Sequence, residues 1–113
     1  MNARKEAMLW VAQRATAVVL ALCIVVHLAT IIYAIRGGLS AAEILGRTRG
    51  SVGWAAFYGV FVLAAAVHGA IGLRAIAAEW LGFRGEAAEV AVAVVGFGLT
   101  VLGLRAVVGL VGA

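Results

Sequence analysis

The sequence predicts an all-α membrane protein, a bundle of three transmembrane helices, on three observations. Hydrophobic residues make up 65% and charged residues only 12% of the 113 residues, whereas a soluble domain is about half apolar and about a quarter charged. The chain contains three long apolar segments, each longer than the roughly 20 residues that a helix needs to cross a bilayer. Glycine is abundant, at 15 residues, which is typical of membrane helices that pack closely.

The predicted spans cover about residues 9–35, 52–81 and 88–111 of a single membrane-anchor domain, residues 1–113. Backbone groups in lipid must be satisfied within the protein, so a span is a helix or part of a closed barrel. The apolar segments are too long and uniform for barrel strands, which favours helices. The first segment is also too long for the core of a signal peptide, so we expect it to be retained. The tryptophans lie near predicted span ends, where indole rings favour the interface: Trp10, Trp54 and Trp80.

The segments outside the predicted spans indicate a short helix, and the basic residues near the span ends weakly indicate the orientation of the chain in the membrane. Ser40 followed by Glu43 is a capping-box pattern, which predicts a short interfacial helix between the first two spans. Basic residues are slightly more numerous on the amino-terminal side, which predicts a cytoplasmic amino terminus. That side carries Arg4, Lys5, Arg14, Arg74 and Arg84, and the opposite side carries Arg36, Arg47, Arg49 and Arg105.

Charge and cysteine content exclude several classes of function. The net charge is +4, but the basic residues lie mostly at span ends, where they contact lipid headgroups, rather than in a stripe for nucleic acid. Cys23 is the only cysteine, which excludes a disulfide framework or a CxxC metal site. The chain has neither a flavin-binding glycine-rich loop nor a cysteine set for iron–sulfur clusters. We therefore expect neither flavin nor iron–sulfur chemistry in this chain.

The two histidines are the strongest candidates for function, because each lies well inside a span. Titratable groups are costly in lipid and usually face a cofactor, a cavity or a partner. The residues on the His68 face of the second span are mostly small, which suits a porphyrin plate but also suits tight helix packing. His68 and His27 are thus candidate haem ligands, and interhelical hydrogen bonds are the alternative. The His68 face comprises Phe61, Ala64, Ala65, Ile71, Gly72, Ala75 and Glu79.

Depth in the membrane constrains the haem hypothesis. His27 lies about 18 residues, or ~27 Å, from the start of the first span, and His68 about 13 residues, or ~20 Å, from the end of the second. The resulting difference of about 7 Å makes the two poor partners for one haem. Either each ligates a different haem or only His68 is a ligand, and another chain or a second copy supplies the missing ligand.

The stretch HGAIGLR from His68 to Arg74, followed by Glu79-Trp80, resembles the HxxxGxR…D pattern of the membrane-anchor (cytochrome b) subunits of succinate dehydrogenase and fumarate reductase. The segment QRATA from Gln13 resembles the first helix of the same anchors, so the resemblance covers about residues 8–84. It implies that His68, and His27 in two-haem members, ligate haem b. It also implies that Arg14 and Arg74 lie near haem propionates or quinone.

The resemblance further implies partners and a location. The anchors dock a flavoprotein and an iron–sulfur subunit and pass electrons to menaquinone or ubiquinone. A second anchor, or a second copy of this chain, would complete a four-helix haem-binding core in the lipid bilayer, here the bacterial inner membrane. Departures affect the quinone site, expected at Trp10, Arg14, Glu79 and Trp80. Glu79 stands where aspartate is usual, Trp80 where some anchors have a tyrosine, and Trp10 where others have a serine.

Three other functions remain open on the sequence. The chain could be a haem-free anchor whose histidines make only interhelical hydrogen bonds. It could be a small transporter subunit in which His68, Glu79 and Arg74 form a proton or ion path. It could also be the haem b subunit of a different dehydrogenase.

Overall fold

The computed structural model describes residues 3–112; residues 1, 2 and 113 of the predicted domain lie outside the described part. The described chain forms α1 (Ala3–Gly37), α2 (Ala41–Thr48), α3 (Val52–Leu81) and α4 (Glu86–Val111). The helices α1, α3 and α4 are each long and apolar enough to cross a membrane. The predicted all-α membrane bundle is confirmed, and residues 3–112 contain no strand.

Local sequence signals set the ends of the helices. The Ser40 hydroxyl accepts a hydrogen bond from the Glu43 amide at 3.1 Å, which confirms the predicted cap of the short helix α2. The Ser51 hydroxyl accepts from the Trp54 amide in the same way at the start of α3. Gly82 ends α3 in the left-handed conformation, with φ of 65°, which glycine adopts without steric cost.

The helix α3 lies at the centre of the bundle and packs antiparallel against both α1 and α4. Two glycines on α4 allow the close approach of α3. A Cβ atom at Gly103 would overlap Val62, and one at Gly96 would lie 3.2 Å from the Ala70 methyl group. Small residues at helix crossings are the usual means of tight packing in membranes, where there is no hydrophobic drive between helices.

The short helix α2 closes one end of the bundle by binding the last turn of α4. The Thr48 hydroxyl donates to the Leu110 carbonyl at 2.7 Å, and the Gly50 amide donates to the Val111 carbonyl at 2.8 Å. These bonds satisfy carbonyl groups that the end of a helix otherwise leaves without a partner.

The interior of the bundle holds small side chains, and most large apolar side chains point outward. Trp10, Leu22, Phe97 and Leu102 are all more than 60% exposed, for example. Such a surface requires lipid or another chain to cover it. The buried side chains among residues 3–112 are Cys23, Thr48, Ala64, Ala66, Ala77, Ala88, Val92 and Val107.

Candidate functional site

His68 lies half-buried between α1 and α3, and one of its two ring nitrogens is hydrogen-bonded. Its Nδ1 is 3.1 Å from the Thr16 hydroxyl. The same hydroxyl donates to the Ala12 carbonyl at 2.8 Å and lies 3.1 Å from the Gln13 carbonyl. The other ring nitrogen, Nε2, makes no hydrogen bond within residues 3–112. The sequence identified only the residues on the His68 face of the same helix, α3. The structure adds a contact from α1, the Thr16 hydroxyl.

Some of the small residues around His68 are packed inside the bundle, and others are exposed. At Gly72, a Cβ atom would lie 3.4 Å from the side-chain nitrogen Nε2 of Gln13, so this glycine allows α1 to approach. Ala64 is buried in the bundle. Ala65 and Gly69, in contrast, are exposed beside His68, and a methyl group at Gly69 would contact only Leu99, at 3.8 Å. Ala65 and Gly69 are thus the small residues next to His68 that the bundle leaves exposed.

Gln13 carries a polar atom without a partner. Its side-chain oxygen is buried and makes no hydrogen bond within the described chain. A buried amide oxygen without a donor is unfavourable in a low-dielectric interior. The α1–α3 contact beside His68 is therefore polar on the α1 side, with Gln13 and Thr16 one turn apart.

His27 lies in an aromatic cluster that the sequence did not predict. Its Nδ1 is 3.2 Å from the Tyr58 hydroxyl. The ring packs edge-on against Tyr58 and Phe61, with centroids 5.8 and 5.7 Å away. Trp54 and Phe57 extend the cluster along α3. A period of three to four residues from Trp54 to Phe61 was visible in the sequence, and it would have identified this cluster.

The two histidines differ in depth by about twice the predicted value. Thr16, level with His68, precedes His27 by roughly 11 residues on α1, which corresponds to about 16 Å. Tyr58, level with His27, precedes His68 by roughly 10 residues on α3, or about 15 Å. The estimate of 7 Å was wrong because it placed Leu9 level with the end of α3, whereas α1 begins at Ala3. Within residues 3–112, no three His, Cys, Asp or Glu side chains group as a metal site.

Arg74, near the carboxyl end of α3, contacts two carboxylates at the amino-terminal ends of α1 and α4. Its Nε donates to Glu89 at 2.8 Å, and its Nη2 donates to Glu6 at 3.0 Å. Lys5 lies 3.7 Å from the same Glu89 carboxylate. Arg74 therefore links α1, α3 and α4. The sequence named Arg74 but missed Glu6 and Glu89, because the pairs are 68 and 15 residues apart in the chain.

The remaining candidates fall into separate groups. The Arg14 guanidinium lies over the Trp10 ring, 5.1 Å from its centroid, on the exposed side of α1. Trp80 is 82% exposed. Glu79 lines an open cavity of about 450 Å³ on the amino-terminal side, together with Arg74, Arg84 and Glu89. The structure thus brings Arg74 and Glu79 to one cavity and pairs Arg14 with Trp10.

A second cavity, of about 290 Å³, runs along the opposite side of α3 from Ala65 and Gly69. Ala70 and Val67 of α3 and Val92 and Gly96 of α4 line it, and Arg74 closes one end. Its walls are mainly apolar, and its polar lining residues are Arg74, Glu89 and Thr100. Neither histidine lines this cavity, so the structure separates it from the candidate ligands.

A family model for the succinate dehydrogenase/fumarate reductase transmembrane subunit matches residues 1–110. Searches of curated proteins and of solved structures gave no match. The family match covers all three membrane-spanning helices and both histidines.

Proposed function

Because this chain belongs to the succinate dehydrogenase/fumarate reductase transmembrane subunit family, we propose that it is the cytochrome b anchor of a succinate:quinone oxidoreductase. It binds haem b, contributes to the quinone site and passes electrons to quinone. Family membership implies a complex with the other subunits of the enzyme. We propose that these are a flavoprotein, an iron–sulfur subunit and a second membrane anchor or a second copy of this chain.

The observation that carries the proposal is the setting of His68. A titratable ring in the middle of a membrane helix needs a polar partner or a ligand role. Its Nδ1 has the Thr16 hydroxyl, and its Nε2 makes no hydrogen bond within residues 3–112. Metal-ligating histidines commonly show this arrangement, in which one ring nitrogen is hydrogen-bonded and the other binds metal. The exposed Ala65 and Gly69 leave room for a flat group beside the ring.

His27 supports a second haem by the same hydrogen-bonding pattern. Its Nδ1 contacts Tyr58, and its Nε2 makes no hydrogen bond in the described chain. The separation of about 15 Å along the helices excludes one iron shared by His27 and His68. We therefore infer two haems at different depths, each completed by a ligand from another chain. When bound, haem b supplies a site that accepts and releases one electron at a time.

The proposed quinone residues are at the amino-terminal end of the bundle, where most of the charged residues lie. Arg14 stacks on Trp10 and has no carboxylate partner within residues 3–112, so its charge is available to a propionate or a quinone oxygen. Arg74 already has two carboxylates, so its part in anion binding requires exchange of one of them. Glu79 lines the cavity of about 450 Å³, and the exposed Trp80 can donate its indole N–H to a quinone carbonyl. The quinone is menaquinone or ubiquinone.

The proposal is tested by the reduced-minus-oxidised optical spectrum of the detergent-purified complex. We expect a b-type α band, and we expect His68→Ala to remove at least one haem signal because it removes the ligand. His27→Ala is the matched comparison at the second depth and should remove a different signal. Copurification of the flavoprotein with each variant checks that the complex still assembles. An unchanged spectrum in His68→Ala would contradict haem ligation by His68.

The number of haems in the unmodified complex separates the remaining possibilities. Two haems per complex support both histidines as ligands. One haem leaves His68 and reduces His27 to its hydrogen bond with Tyr58. A complex without haem absorbance favours the haem-free anchor, because both histidines do make interhelical hydrogen bonds.

A further inference from the structure

We propose that Thr16 is a positioning residue that sets the tautomer and orientation of His68. The inference rests on the proposed ligation of haem by His68 and assigns the group that prepares the imidazole for it. The sequence shows Thr16 only as one polar residue of α1, and the family match does not assign it a role.

The hydroxyl of Thr16 has one proton to donate but three neighbouring polar atoms, the Ala12 and Gln13 carbonyl oxygens and Nδ1 of His68. The shortest of the three contacts, at 2.8 Å, runs to the Ala12 carbonyl, four residues earlier on α1. The Gln13 carbonyl, at 3.1 Å, is also an acceptor only. The proton therefore lies on the carbonyl side of the hydroxyl. The Thr16 oxygen is left as an acceptor, and the hydrogen bond at 3.1 Å to His68 takes its proton from Nδ1.

A neutral imidazole carries one proton, so a proton on Nδ1 leaves Nε2 with a free lone pair. Nε2 is then the atom available to a metal. A hydrogen bond from Nδ1–H to an oxygen also raises the basicity of the ligand and fixes the ring orientation. A more basic imidazole would favour ferric over ferrous iron in a bound haem and would so lower its reduction potential. Thr16 thus both orders the ring and lowers the potential.

The other histidine lacks this control. The Tyr58 hydroxyl that contacts His27 makes no second hydrogen bond within residues 3–112, so its proton is not committed elsewhere. Tyr58 can donate to Nδ1 or accept from it, and either tautomer of His27 satisfies the contact. The fixed tautomer is therefore a specific property of the Thr16–His68 pair.

The test uses the complete purified complex and measures the midpoint potential and the rate of haem loss. Thr16→Val keeps the shape of the side chain and removes the acceptor. We expect its haem potential to rise and its haem affinity to fall about 10- to 100-fold. Thr16→Ser keeps the hydroxyl and should match the unmodified complex. Thr16→Cys offers a weaker acceptor and should give an intermediate potential.

Thr100→Val is the matched control, because the Thr100 hydroxyl donates to the Gly96 carbonyl at 2.9 Å and contacts neither histidine. Its potential should equal that of the unmodified complex. Equal haem potentials in Thr16→Val and Thr16→Ser would overturn the inference. If the valine variant does not assemble, equal haem potentials in Thr16→Cys and Thr16→Ser would overturn it instead. The variant His68→Ala distinguishes failure of the proposed function from failure of the role proposed for Thr16. If it leaves every haem in place, the proposed function fails; if it removes a haem while Thr16→Val changes nothing, only the role of Thr16 fails.

Discussion

Single residues decide how closely these helices approach, and two glycines of α4 show this at the contact with α3. At Gly103 the Val62 side chain occupies the position that a Cβ atom would need, and at Gly96 the Ala70 methyl group is close. Gly98 and Gly109 lie on the same helix with nothing within 4 Å. Glycine content alone predicts close packing, but it does not show which glycines are at the contact.

We predict that Gly103→Ala destabilises the bundle by about 1–3 kcal/mol, because the added methyl group must displace Val62 or separate α3 from α4. Gly98→Ala, in open space on the same helix, should be neutral or slightly stabilising, since alanine favours the helix more than glycine does. The measurement is the midpoint of detergent-induced unfolding followed by circular dichroism. Equal midpoints for the two variants would show that the contact with Val62 is not tight in the membrane.

At the scale of elements, one arginine near the carboxyl end of α3 joins this helix to the amino-terminal ends of α1 and α4. Arg74 on α3 contacts Glu6 on α1 and Glu89 on α4. Its side chain is 16% exposed, whereas Glu89 is 35% exposed, so the arginine is the more deeply placed partner. The histidine contacts join only α1 and α3. The Arg74 cluster therefore links both α1 and α4 to α3 at that end.

We predict that Glu89→Gln lowers the unfolding midpoint of the complex, since it removes a charged hydrogen bond to Arg74 at a partly exposed site. Glu86→Gln is the matched control: it also removes an acid from the first turn of α4, but Glu86 makes no ion pair within residues 3–112. Both variants lose the same favourable interaction with the helix dipole. The difference between their unfolding midpoints thus isolates the contact with Arg74, and a difference of zero would rule out a stabilising role for it.

At the scale of the whole molecule, charges are distributed unevenly between the two ends. Four of the five acidic residues lie at the amino-terminal end, and Glu43 alone lies at the other end. Two of the four, Glu6 and Glu89, pair with Arg74 or Lys5. The basic residues at the α2 end have few carboxylates near them. Orientation in the membrane follows basic residues rather than net charge. The slight excess of lysine and arginine at the amino-terminal end therefore still predicts that this end is cytoplasmic.

We predict that a green fluorescent protein fused after the third span is dark, whereas alkaline phosphatase at the same place is active, because three spans place the carboxyl end outside the cytoplasm. Fusions in the connection between α3 and α4, at Arg84, should give the opposite pair of signals. The reverse pattern at both positions would show that the amino terminus lies outside.

The sequence by itself determined the membrane class, the three spans and the cap of α2, because hydropathy over 20 residues and a Ser–Glu spacing are local properties of the chain. It also pointed to His27 and His68, since a titratable residue inside a span is conspicuous without any knowledge of packing. The roles of Arg14, Arg74, Glu79 and the tryptophans stay predictions.

Only the tertiary structure decided how the helices are aligned along their length. The depth difference between the histidines, the Thr16 hydroxyl beside His68 and the two carboxylates on Arg74 all depend on that alignment. Alignment is set by contacts between residues far apart in the chain, such as Gly103 with Val62. An apolar helix has no periodic signal that fixes its vertical position against a neighbour, because every level of the hydrocarbon is equally favourable to leucine, valine and alanine. Packing of small residues and a few polar contacts make that choice.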